Sequence, residues 1–216
     1  MRTFNIEKDS MWGCATKNKF ICNDSDKLVV LLPGMGYNLD KALMDYSKQL
    51  VLDLKFDYLG LEYGFQANKK EFDRNNKEEV RELALESLDV ILSVIELQGR
   101  RHKKIIFIGK SLGTVLQNSL GEKIKSIQEV KIKDVYLTPV NKTVETGIRE
   151  GSLVITGSKD ALITKENIEK IKELNGLELV EVEGAGHSLC VKGEVLSSIE
   201  VLKESIGKIK NYLQRI

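Results

Sequence analysis

From about residue 28 to the end, short apolar runs alternate with longer amphipathic stretches. That alternation most narrows the fold, because strands and helices laid down in turn build a parallel sheet with helices on its faces. The expected strands are Leu28–Leu32, Phe56–Leu61, Ile105–Ile108, Val135–Leu137, Leu153–Thr156 and Leu179–Val182. Several are continuously apolar rather than alternating, as strands covered on both faces should be. The predicted class is α/β.

The intervening stretches carry helix ends. Asn76 precedes Lys77-Glu78-Glu79 as an N-cap with a Glu three residues on, and Gly99 closes the run, predicting a helix over 77–98. Thr164 caps a second helix to about Leu174, before Asn175-Gly176. Val195, Ile199, Leu202, Ile206, Ile209 and Leu213 form one stripe at spacings of four and three, expected to pack on the sheet, with a coiled-coil partner as the alternative. Two weaker strands, at about 3–8 and 18–23, read as an antiparallel start to the same sheet. No composition shift or repeat divides residues 1–216, so one domain is expected.

Charge and cysteine usage restrict the partners. With 33 Lys+Arg against 32 Asp+Glu the net charge is +1, which argues against nucleic acid. The one dense basic run, Arg100, Arg101, Lys103 and Lys104, reads as a solvated loop. No apolar stretch approaches the roughly 20 residues of a membrane span, and the amino terminus lacks the apolar core of a secretory signal. A cytoplasmic protein with no membrane partner is expected. Cys14, Cys22 and Cys190 are an odd set without metal-ligand spacing, so neither a disulfide framework nor a bound metal is expected. Self-association as a homodimer stays open.

The chemistry concentrates where the strand Ile105–Ile108 runs without a loop into Gly109-Lys110-Ser111-Leu112-Gly113 and then a helical run. A G-x-S-x-G placed between strand and helix is what a nucleophile elbow requires. The tight turn forces the serine into strained backbone angles, and small residues two positions either side relieve the crowding. Ser111 would then present its hydroxyl at a helix amino end; the alternative is a tight turn with an N-capping serine. Two rival motifs fail. A P-loop ending at Gly109-Lys110-Ser111 needs a glycine at Lys104, and a dinucleotide fingerprint opening at Gly34-Met35-Gly36 needs one at Leu39. No cofactor is expected.

A serine nucleophile needs a base, and there are two histidines. His102 precedes the strand that ends at Ser111, which puts it a strand's length away at the wrong edge. His187 follows a late strand in Glu183-Gly184-Ala185-Gly186-His187-Ser188, a small-residue loop that can carry the ring over the sheet's carboxyl edge; alone it would read as an exposed bystander. Asp160, after Gly157-Ser158-Lys159, can orient the imidazole; alone it would read as a turn residue. Ser111, Asp160 and His187 each lie just past a different strand, at the edge where open α/β sheets place their sites. Backbone N–H groups of Leu112 and Met35 are the expected oxyanion donors. Gly34, Gly36, Tyr37 and Lys110 are the expected substrate contacts, with packing against the loop as the alternative for Tyr37. Cys190 lines the site or, the favoured reading, is buried as a small hydrophobe.

With Pro-Gly-Met-Gly, Gly-Lys-Ser-Leu-Gly, Gly-Ser-Lys-Asp and Gly-Ala-Gly-His in this order, the chain from about 28 to 214 resembles the α/β-hydrolase superfamily of serine hydrolases. The resemblance implies an eight-stranded, mostly parallel sheet flanked by helices, with Ser111 as nucleophile, His187 as base and then acid, and Asp160 as its partner. Pro33 stands where many members carry His. Members with a lid insert it after the sixth strand, where only Pro139 to Ser152 intervene here, so no lid domain is expected. An open site favours small or flexible acyl substrates, with esters as the default and thioesters, lactones or small amides open to the same parts. An acyltransferase on the same triad and a non-catalytic binding module are the alternatives.

Overall fold

The computed structural model describes all 216 residues and forms one eight-stranded sheet in the order β1-β2-β4-β3-β5-β6-β7-β8. The strands are β1 (Arg2–Ser10), β2 (Cys14–Cys22), β3 (Lys27–Leu32), β4 (Asp57–Gly60), β5 (Lys104–Lys110), β6 (Lys131–Leu137), β7 (Leu153–Gly157) and β8 (Glu178–Val182). The first two form an antiparallel hairpin whose second strand pairs antiparallel with β4; every other pairing is parallel. The helices are α1 (Ala42–Asp53), α2 (Gly64–Ala67), α3 (Lys77–Leu97), α4 (Leu112–Ile127), α5 (Asn141–Thr146), α6 (Lys165–Lys172) and α7 (Val195–Arg215).

The two-residue period of the central strands divides the core. Leu28, Val30, Leu32, Ile105 and Phe107 face α3 and α4, whereas Val29, Leu31, Ile106 and Ile108 face α1 and α7. Both sets are fully buried, which is why these strands read as unbroken apolar runs. The expected caps form: the Asn76 side chain accepts from the N–H groups of Glu78 and Glu79, and Thr164 accepts from Asn167. Between β6 and β7 lies only the six-residue α5, joined to α4 by the Thr114–Thr143 hydroxyl pair at 2.6 Å, so no lid domain is present. No helix is long and apolar enough to cross a membrane.

Three expectations are corrected. β6 begins at Lys131 rather than Val135, its polar first half held by a buried Asp134 paired with Arg149 Nε at 2.8 Å and Gln117 Nε2 at 3.0 Å. On α7 the buried face is Val201, Ser205, Ile209, Tyr212 and Leu213, while Val195 and Ile199 stand exposed because the helix is covered only from its second turn. The basic run is not simply solvated. Arg101 binds Asp24 at 3.1 Å and the fully buried Asp57 at 3.0 Å, and His102 lies buried against Asp57 at 2.9 Å, at the amino edge of β5.

Candidate active site

β5 runs directly into α4, and the single residue between them is Ser111, at φ +51° and ψ −109°. This positive φ is strained for a residue with a side chain, at about 1–3 kcal/mol. Packing around the turn holds it: an added Cβ at Gly113 would overlap the Leu32 carbonyl, so only glycine lets α4 sit this close to β3. Thr114 Oγ1 donates to the Ser111 carbonyl at 2.5 Å and secures the first turn.

His187 comes from the segment between β8 and α7, with β6 and β7 lying between β8 and β5 in the sheet. Bonds from Lys159 N–H to the Ala185 carbonyl and from Leu189 N–H to the Gly186 carbonyl, each 2.9 Å, fold this segment back over the β7 end. A Cβ at Gly157 would strike the Ala185 carbonyl, so the glycine in Gly-Ser-Lys-Asp permits the approach. The result is a chain of hydrogen bonds: His187 Nε2 to Ser111 Oγ at 2.9 Å, and His187 Nδ1 to Asp160 Oδ2 at 2.8 Å. Asp160 Oδ1 accepts from Leu162 N–H at 2.9 Å. The carboxylate side chain is fully buried, whereas that of His187 is 27% exposed, leaving the imidazole open to solvent.

Burial works against the charged form of Asp160, but the hydrogen bonds from His187 and the Leu162 N–H, with the Lys110 charge nearby, hold its carboxyl below the ordinary value of 3.8. The structure therefore keeps Asp160 ionised beneath the imidazole at neutral pH.

The expected oxyanion and substrate residues are distributed as follows. Leu112 is the first residue of α4, where its N–H has no intrahelical acceptor. Met35 follows β3, and its N–H bonds to no backbone carbonyl. Gly34 lies against the nucleophile, with an added Cβ 3.3 Å from that of Ser111. Tyr37 is built into the loop: its hydroxyl accepts from Leu43 N–H at 3.3 Å. Lys110 lies beneath the site, 1% exposed, its ammonium donating to Thr138 Oγ1 and to the His187 carbonyl at 2.8 Å, with the Tyr37 ring 5.1 Å away. Cys190 is exposed, not buried as favoured, because the turn 186–190 projects it outward. No group of three metal-ligating side chains comes together. Beside Met35 a groove of about 640 Å³ opens over Phe65, Gln66, Lys69 and Phe72. Gln66 and Thr138 join the site without any local sequence signal.

Burial of Lys110 lowers its ammonium from 10.5 to about 8, against the pull of Asp160 and Cys190. The unfolded chain therefore binds more protons than the folded one between about pH 8 and 10.5, and stability from this group rises with pH across that window, by on the order of 3 kcal/mol. Chemical denaturation of wild type and Lys110→Met at a series of pH values should show the variant without this rise. Parallel curves would contradict it.

The sequence matches no family profile and no curated protein. The fold is similar to that of an esterase from Pyrococcus furiosus, with a TM-score of 0.71 at 18% identity over 99% of this chain and 92% of that one. A serine hydrolase without a lid from Xanthomonas campestris gives 0.72 at 11% identity over 99% and 94%. An alpha-beta serine hydrolase homologue from Coxiella burnetii gives 0.64 at 14% over 95% and 96%. The chain has the α/β-hydrolase fold.

Proposed function

We propose that this protein is a serine hydrolase that cleaves small carboxylic esters or thioesters through an acyl-enzyme on Ser111. The observation that carries the reading is the continuous relay from Asp160 Oδ2 through His187 to Ser111 Oγ, with both heavy-atom distances under 3 Å. Ser111 Oγ would attack the acyl carbon while His187 Nε2 accepts its proton, and Asp160 would stabilise the imidazolium that forms. The carbonyl π electrons move to oxygen, and the N–H groups of Leu112 and Met35 are suited to receive that charge. Collapse expels the alcohol or thiol, which takes the proton from His187. A water, deprotonated by the same ring, then releases the acid and restores Ser111.

The partly exposed imidazole and the lack of a lid support small or flexible acyl groups. The esterase and serine hydrolases of the same fold support the reaction class. Aryl acetate and butyrate esters should be turned over with kcat/KM roughly tenfold or more above that of the laurate, because without a lid little encloses a long chain. A profile that rises monotonically to laurate would contradict the substrate class, and ester formation with added alcohols in place of hydrolysis would redirect the reading to acyl transfer.

A further inference from the structure

We propose that Gln66 is a positioning residue for the oxyanion site, one that fixes the direction of the Met35 N–H by holding the carbonyls on either side of that residue's nitrogen and carbon. The inference rests on the serine-hydrolase reading above. Gln66 Nε2 donates to the Gly34 carbonyl at 2.6 Å and to the Met35 carbonyl at 2.7 Å. Both partners are acceptors, so the amide nitrogen must face them and both of its hydrogens are used.

The consequence follows from peptide geometry. In a planar trans peptide the N–H points opposite to the C=O. Gathering the Gly34 and Met35 carbonyls on Gln66 therefore turns the N–H groups of Met35 and Gly36 to the other side, and neither of these bonds to a backbone carbonyl. The remainder of the loop is already tied, with Gly34 N–H donating to the Tyr37 carbonyl at 2.9 Å and Tyr37 N–H returning to Gly34 at 3.3 Å. The Gly34 carbonyl thus accepts from Tyr37 N–H and, at the shorter 2.6 Å, from Gln66, while the Met35 carbonyl accepts from Gln66 alone, so Gln66 adds the restraint that the turn bond leaves out. Gly34 sits against Ser111 Cβ and the Lys110 carbonyl, so a rotation there would be felt at the nucleophile.

Gln66 is itself rigidly mounted. It lies in α2, whose Phe65 stacks on Phe72 at 4.5 Å between ring centroids and meets the Trp12 ring edge-on at 5.7 Å. Asn68 ties the end of the helix to the Trp12 carbonyl at 2.5 Å. A donor set before the reaction costs no reorganisation as charge develops, which is the source of its catalytic value.

The test uses Gln66→Met, which keeps the length and removes the donors, and Gln66→Glu, which turns oxygens toward the two carbonyls. Active sites are counted by fluorophosphonate labelling, so that partial misfolding is normalised away. An alkyl trifluoromethyl ketone is the probe: Ser111 Oγ adds to its carbonyl carbon, the π pair becomes the oxyanion, and His187 retains the proton. Per active site, kcat for an aryl ester should fall roughly 10- to 100-fold with KM little changed, less than the 10²–10³-fold lost with an oxyanion donor itself. The inhibition constant of the ketone should rise by the same factor as kcat/KM falls. A merely structural role would lower the count of active sites or the melting temperature and leave both constants at wild-type values, and that result overturns the inference. Should Gln66→Glu fail to fold, Gln66→Met decides alone. Wild-type protein that neither labels nor binds the ketone would overturn the serine-hydrolase reading and this inference together, whereas wild-type behaviour in the variants would overturn this inference only.

Discussion

Replacing His187 with alanine should lower kcat/KM for a short aryl ester by roughly 10⁵–10⁶-fold, since loss of the base alone disables a triad almost as completely as loss of all three members. The size of the effect comes from the geometry. Ser111 Oγ has one ring nitrogen within hydrogen-bond reach, at 2.9 Å, and His102, the other imidazole, lies buried against Asp57 at the opposite edge of the sheet. No second base can substitute. The fold should persist, because the His187 ring is 27% exposed and its main chain is held independently by Lys110 and the turn 186–190. Steady-state kinetics with a thermal melt separates the two outcomes: lost turnover with a melting temperature within several degrees of wild type supports the assignment, and retained turnover contradicts it.

Asp160→Asn should cost roughly 10⁴-fold in kcat with little change in KM. An ionised Asp160 Oδ2 can only accept, so it selects the Nδ1–H tautomer of a neutral His187 ring, in which the Nε2 lone pair faces Ser111 and can take its proton. An asparagine can turn its NH₂ toward Nδ1, which then must accept, so the ring proton moves to Nε2 and the lone pair facing Ser111 is lost. Volume and shape are unchanged, and Oδ1 can still accept from Leu162. Rate assays together with ¹⁵N spectra of the imidazole test this. A variant that kept wild-type turnover with its proton on Nδ1 would remove Asp160 from the mechanism.

Much of this site is legible in local sequence because its parts obey short-range rules. Gly109 and Gly113 flank Ser111 at the spacing a strand-to-helix turn needs, and Gly157 and Gly186 mark the loops that bring Asp160 and His187 to the same sheet edge. β3 and β5 are legible for a related reason: both faces are covered, so every position is apolar. What escapes is set by partners distant in sequence. The first half of β6 reads as polar loop because Asp134 finds its counter-charge in Arg149, beyond the strand's end. The α7 stripe is misjudged at its start because periodicity gives a helix its face but not the point where the sheet begins to cover it. Lys110 reads as a substrate contact inside the elbow motif, yet its ammonium is taken up by Thr138 and the His187 carbonyl, contributed from beyond two other strands. Gln66 carries no signal, since its role depends on carbonyl directions that only the folded loop defines.

The most direct test of the central claim is fluorophosphonate labelling of the purified protein, with the modified peptide mapped by mass spectrometry and Ser111→Ala as control. The expected result is stoichiometric phosphonylation confined to Ser111 and absent from the variant, because only a serine whose proton is drawn off by His187 attacks phosphorus at neutral pH. Folded protein that stays unlabelled, or labels equally in the Ser111→Ala variant, would contradict an activated serine at this elbow.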